Sequence, residues 1–173
     1  MTSEEFLYSS DLAGIAVGET AISDVDGENG LLSYRGIDIN DLVDVPYLHV
    51  VWMVLFGEWP SEQEKSRLKA FMCKYTRLSH SEIDLLKHVS RDLHPMLMLQ
   101  GLVPLLDLPE EELLGKGMDA EHGLFLAAKI TGLTAAHYRL SQNKSILPPT
   151  PGKLFHENFL TMFTGSAPTK EQR

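Results

Sequence analysis

A single cysteine, Cys73, leaves no partner for an internal disulfide, a pattern that suits a cytoplasmic setting. Basic residues are also scarce. With 15 Lys and Arg against 24 Asp and Glu, a formal charge of -9 and a pI near 5.2, no basic face offers itself to a phosphate backbone or an anionic lipid surface. Nucleic acid and membrane surface are therefore excluded as expected partners. The longest unbroken apolar run, Val50 to Phe56, is far too short to span a bilayer, and the acidic start Met1-Thr-Ser-Glu-Glu-Phe6 lacks the pattern of a signal peptide. Also absent are HExxH, paired-cysteine, P-loop, G-x-G-x-x-G and G-x-S-x-G motifs, as are internal repeats. Seven histidines are present, at positions 49, 80, 88, 94, 122, 137 and 156, but their scatter offers no local metal clamp. His156 and Glu157 are neighbours, which on a helix point about 100° apart and make no acid/base pair. Cys73 lies in an amphipathic pattern, where an inert thiol is the commoner state.

What is there is one turn-rich stretch followed by helical patterns. At 173 residues the chain has the length of one domain, enough to bury about 70% of its unfolded surface. Residues Met1 to Asp11 are polar and unpatterned, and are expected to be flexible. Val17 to Ser23 and Leu31 to Tyr34 predict two strands, separated by Asp24-Val-Asp-Gly-Glu-Asn-Gly30. Gly27 and Gly30 stand among Asp24, Asp26 and Glu28, which would repel a phosphate, so the stretch reads as a turn. Gly36 closes the second strand, and Asp38 or Asn40 can cap a short helical turn.

The helices then follow from caps and breakers. Tyr47 to Phe56, after Pro46 and before Gly57, is apolar on nearly every side and predicts a central helix. Ser61-Glu-Gln-Glu64 is a capping box, opening a helix with Leu68, Phe71, Met72 and Tyr75 inward and Lys65, Arg67, Lys69 and Lys74 on a solvated face. Ser81 is the expected cap of the next, shorter helix, which ends before His94-Pro95. From Pro95 an apolar helix runs until Pro104 kinks or stops it, with His94 fixing its start. Leu108 to Gly117 is an acidic connector with room for one helical turn. Asp119 is the expected cap of a long helix with Leu124, Phe125, Ala128, Leu133, Ala136 and Leu140 inward, its glycines Gly123 and Gly132 permitting close packing. A proline-rich linker over 142–153 and an amphipathic helix over Leu154 to Phe163, stopped by Gly165, complete the pattern; Ser166 to Arg173 has the look of another helix start. Taken alone, these residues describe a helical domain without an active site.

Gly18-Glu-Thr-Ala-Ile-Ser23, Val25-Asp-Gly27, Tyr34-Arg-Gly36, Asp38-Ile39, Asp41-Leu42, His94-Pro-Met96, Ala128-Lys-Ile130, Ala135-Ala136, Tyr138-Arg139, Asn158-Phe-Leu160, Met162 and Thr164-Gly165 occur in the order seen in one family. Over Leu12 to Gly165 the chain resembles the N-terminal half of bacterial and archaeal citrate synthases and 2-methylcitrate synthases. The resemblance implies a mainly α-helical, citrate-synthase-like large-domain portion with a short N-terminal β-hairpin. Residues 1–11 would precede it and residues 166–173 would begin a truncated next helix. It also implies condensation of acetyl-CoA or propionyl-CoA with oxaloacetate, in which a histidine and an aspartate drive enolisation while another histidine and arginines hold the dicarboxylate.

In the family, the first active-site histidine lies in a His-Ala-Asp-His-Glu-type motif just beyond the equivalent of Arg173, and the other catalytic groups follow later. No catalytic, cofactor-binding or metal residue is therefore assigned in this chain. The expectation is an acyltransferase portion that is inactive alone, binds no cofactor by itself, and works with a complementary C-terminal chain or associates with itself. The alternatives are a non-catalytic relative that pairs with a full-length synthase or with itself, and a fragment without activity. The first reading predicts uncovered apolar faces, especially on Val50 to Phe56 and Leu124 to Leu140; the second predicts a self-sufficient core. Pro104, in a helix that family members continue near their subunit contact, puts the usual dimer in question.

Overall fold

The computed structural model describes residues 15–16 and 18–169. The flexible start expected over Met1 to Asp11 lies outside the described residues. The chain divides into two units, one ending at Asp44 and one beginning at Val45.

The first unit is a three-stranded antiparallel sheet in the order β1 (Ser23–Asp26), β2 (Leu31–Tyr34), β3 (Ile37–Asp38), followed by the one-turn helix α1 (Ile39–Leu42). β1 pairs Ser23 with Tyr34 and Asp26 with Leu31, so the predicted strand over Val17 to Ser23 is displaced: Asp24 to Asp26 are strand, and residues 18–22 are not. The turn itself explains the shift. Asp26 Oδ1 accepts from the amides of Glu28 (3.1 Å) and Asn29 (3.0 Å), and its Oδ2 accepts from the Asn29 side chain at 2.6 Å. Those bonds, the Asn29 side chain first, hold the Asp26 carboxyl below its ordinary range. A phosphate would find these amides already bonded to a carboxylate. β3 was not foreseen; it follows from Arg35 and Gly36, both at positive φ (51° and 78°), which form a two-residue hairpin turn. Asp38 caps α1 as expected, accepting from Asn40 N–H at 2.8 Å.

The second unit contains α2 (Tyr47–Phe56), α3 (Glu62–Thr76), α4 (His80–His88), α5 (Pro95–Leu102), α6 (Met118–Ser141) and α7 (Phe155–Thr164). α6 is its axis, packed against α3, α4, α5 and α7. Its N-terminal half joins a core of Trp52, Leu68, Phe71, Met72, Leu124, Phe125 and Ala128; its C-terminal half joins Leu86, Met98, Leu102, Leu133 and Ala136. Gly132 sits where the two halves meet, and a Cβ there would lie 2.3 Å from the carbonyl oxygen of Thr76. The same glycine allowance at Gly123 serves no close neighbour.

Several boundaries moved for physical reasons. α4 is capped by Ser79, not Ser81: Glu82, three residues on, closes the box by accepting from Ser79 N–H at 2.7 Å, and Lys129 of α6 fixes the same carboxylate at 2.7 Å. α6 starts from Gly117 at φ 94° with no side-chain cap, leaving Asp119 in the first turn, where its charge suits the helix dipole. The connector before it has no helical turn. Buried Glu121 holds it instead, accepting from the amides of Leu113, Leu114 and Gly115 at 2.7, 2.5 and 3.0 Å. Pro104 acts as expected: α5 ends at Leu102 and one 3-10 turn over Val103–Leu105 follows. α2 is less central than its composition suggests, since only Trp52 and Met53 are buried while Tyr47 is 56% and Leu55 43% exposed. Residues 166–169 hold no helix, and the rest of the expected last helix lies outside the described residues. Among the described residues no helix is long and apolar enough to cross a membrane.

Candidate functional site

Four of the seven histidines are tied to nearby backbone. His94 Nδ1 accepts from Met96 N–H at 3.2 Å, capping α5. His88 Nδ1 lies 2.7 Å from the carbonyl oxygen of Asp84, His122 Nε2 lies 2.9 Å from that of Pro109, and His137 Nε2 lies 2.9 Å from that of Leu93. These rings serve as structural hydrogen-bonding groups. Among the described residues no group of three His, Cys, Asp or Glu side chains is placed to hold a metal ion.

The other notable pair, His49 and His156, comes together where sequence spacing gave no hint. Both line a cavity of about 300 Å³ formed by the first turns of α2 and α7 and by one face of α3. Tyr47 and Phe155 form an aromatic wall, with ring centroids 6.0 Å apart and planes within 10°. From α3 come Glu62, Lys65 and Lys69. Lys65 pairs with Glu62 at 2.6 Å, and Lys69 Nζ donates to the Gly152 carbonyl at 2.6 Å. These two lysines were expected to be solvated surface; the proline-rich segment and α7 fold back to make them lining. His49 is held below its ordinary value of 6.5, first by burial and then by the Lys65 charge, against an opposing effect of Glu62. His156 Nε2 is buried and has no hydrogen-bond partner among the described residues.

This arrangement is suited to binding. Ser66 also lines the cavity, but its hydroxyl donates to the Glu62 carbonyl at 3.0 Å and has no imidazole beside it. Neither His49 nor His156 is hydrogen-bonded to a carboxylate among the described residues, so no oriented base accompanies a nucleophile. Cys73, half-buried, lines a different hollow.

Comparison with known proteins gives a consistent result. A family model described as "Citrate synthase, C-terminal domain" matches residues 11–173. The chain is 30% identical over 165 residues to the citrate/2-methylcitrate synthase of Bacillus subtilis (strain 168), covering 94% of this chain and 44% of that protein. The crystal structure of citrate synthase from Thermotoga maritima MSB8 superposes with a TM-score of 0.79 at 25% identity, over 96% of this chain and 44% of the other. A citrate synthase from Thermoplasma acidophilum, solved as a ternary complex with carboxymethyl coenzyme A and oxaloacetate, shares the fold with a TM-score of 0.81 at 21% identity, over 95% and 44% of the two chains. The chain thus spans about 44% of the length of the Bacillus relative.

Proposed function

The chain belongs to the citrate synthase family, and we propose that it is the N-terminal portion of a citrate-synthase-type acyltransferase that condenses acetyl-CoA or propionyl-CoA with oxaloacetate. The observation that carries this reading is the match over 94% of the chain to a citrate/2-methylcitrate synthase of which it spans only 44%. The family model has a C-terminal domain in its description; placement at the start of a synthase rests on the order of the motifs from Gly18 to Gly165. In this reading the enolising histidine and aspartate, and the groups that hold the dicarboxylate, are supplied by sequence outside these 173 residues. The chain alone binds no cofactor and does not turn over. It acts in the cytoplasm, within the tricarboxylic acid cycle, by joining a complementary C-terminal part.

The test is CoA release from acetyl-CoA or propionyl-CoA with oxaloacetate by the purified chain. No release above a blank is expected, and turnover would overturn the assignment of the chemistry to other residues. A second reading, a non-catalytic relative that pairs with a full-length synthase or with itself, draws support from α6, where Leu124, Phe125, Ala128, Leu133, Ala135 and Ala136 are buried, although Ile130 is 37% exposed. That reading predicts stable association with a full-length synthase and unchanged turnover by it.

A further inference from the structure

Total charge conceals one face of this chain that carries no acid. From Lys65 to Ser81, and again from Gln142 to His156, there is no Asp or Glu, although the chain has 24 of them; the two stretches hold seven of its 15 Lys and Arg. They meet at the C-terminal half of α3, where the proline-rich segment crosses it. A hollow of about 480 Å³ lies between them, with Lys69, Cys73, Lys74 and Arg77 on one side and Pro151 and Gly152 on the other. None of these three cations forms an ion pair among the described residues. Two are held in place by neutral carbonyls instead: Lys69 Nζ donates to Gly152 at 2.6 Å, and Arg77 Nη2 to Pro149 at 3.2 Å. The Lys74 ammonium lies 4.8 Å from the centre of the Tyr75 ring. Lys74 and Arg77 are exposed and Lys69 is half-buried, so their remaining protons, two on Lys69, three on Lys74 and four on Arg77, are open to an incoming group.

The spacing selects the shape of the occupant. Positions 69, 73 and 77 fall on one helix face with 66, 70 and 74 beside them, and Lys69 and Arg77 are about 12 Å apart along the axis. Separate carbonyls anchor those two side chains, so the three charges form a stripe and not a single focus for a compact anion. An extended peptide covers about 12 Å in about four residues, with alternate side chains pointing the same way. A long phosphate backbone would run on past the stripe over a chain of net charge -9, whereas a short segment meets the cations alone within a Debye length. We propose that this groove docks an extended acidic segment of a partner protein, whose carboxylates at positions i, i+2 and i+4 pair with Lys69, Lys74 and Arg77. Arg77 can take its carboxylate through two N–H groups, and Ala70 and Pro151 give the intervening backbone an apolar floor.

The test is titration of the purified 173-residue chain at low salt with the peptide Gly-Glu-Ala-Glu-Ala-Glu-Gly, followed by two-dimensional NMR of backbone amides. Saturable shifts are expected over residues 66–77 and 149–153, with a Kd below about 1 mM. The same peptide with glutamine in place of glutamate should bind at least about ten-fold more weakly. Lys74 makes no hydrogen bond to another element among the described residues, so Lys74→Glu keeps the fold and should weaken the acidic peptide about five-fold or more. Lys87→Glu, on an exposed side chain of α4, changes the total charge equally and should leave the affinity within about two-fold. Equal binding of the glutamine peptide, indifference to Lys74→Glu, an equal loss with Lys87→Glu, shifts confined to other parts of the chain, or no saturable shift would each overturn the proposal. Displacement by inorganic pyrophosphate at concentrations well below the peptide Kd would do so too, by showing a site for a compact anion.

Discussion

The two units of this chain are held by different means. In the first, Val25 is 70%, Leu31 54% and Val43 73% exposed, and its conformation is set by local bonds: the Asp26 turn, the positive φ values at Arg35 and Gly36, and the Asp38 cap. In the second, Leu68 and Ala128 are fully buried, and charged groups are drawn inside with their partners: Lys129 with Glu82, and Glu121 with the 113–115 amides. Turn chemistry is written in neighbouring residues; a packed axis is written across the whole chain. The comparison teaches where a substitution should act locally and where it should unfold a unit.

The largest effect is expected at Lys129. Its ammonium lies 2.7 Å from Glu82, with side-chain exposures of 7% and 14%, and also donates to the Arg77 carbonyl at 3.1 Å. Lys129→Met leaves a buried carboxylate unpaired and should cost about 3 kcal/mol in denaturant unfolding, with the Lys129→Met/Glu82→Gln double variant recovering part of it. Next is Gly132→Ala, whose added methyl meets the Thr76 carbonyl at 2.3 Å and Leu78 Cδ2 at 3.2 Å; a loss of about 2 kcal/mol is expected from overpacking against backbone. In the hairpin, Gly36→Ala forces an L side chain to φ 78° and should cost about 1 kcal/mol, read by hydrogen exchange of β2 and β3 amides with the α6 amides unaffected. If α6 protection fell equally, the contrast between the units would fail. The smallest effect has the opposite sign: Gly123→Ala, with open space around its Cβ, should stabilise by about 0.5 kcal/mol through helix propensity.

Acid sensitivity sharpens the same contrast at α3. Glu64 accepts from Ser61 and Lys116, which lower its pKa from 4.5 to about 2, the Ser61 hydroxyl first. Its folded value lies below its unfolded one, so its contribution is present above about pH 4.5 and is lost as pH falls toward about 2. Glu64→Gln should flatten that part of the acid-unfolding profile, measured as denaturation midpoints across the window. An unchanged profile would show that the Ser61 box and Lys116 contribute nothing there.

How much was legible follows the same divide. The Ser61 box, the Asp38 and His94 caps and the stop at Pro104 depend on residues within a few positions, and each was readable from local chemistry. The family fold was legible because its motifs keep their order. Ser79 was overlooked although Ser79 and Glu82 stand at the capping-box spacing, because Ser81 and Asp84 offer a competing serine and carboxylate at the same spacing two residues on. Gly117 was overlooked because a connector pinned by Glu121 needs no side-chain cap to start α6. The cavity was invisible for a similar reason: His49, Lys69 and His156 stand on three helices, and only folding of the 142–153 segment brings them to one wall. Neither charge nor spacing announces such a meeting.

The central claim is that this chain is one part of a condensing enzyme. Tagging it in its host, isolating it gently and weighing the intact complex by native mass spectrometry tests that claim most directly. The account predicts a stoichiometric second polypeptide resembling the C-terminal part of a citrate synthase, whose addition to the purified chain gives CoA release. Recovery only with itself or with a full-length synthase, without CoA release that depends on this chain, would contradict it.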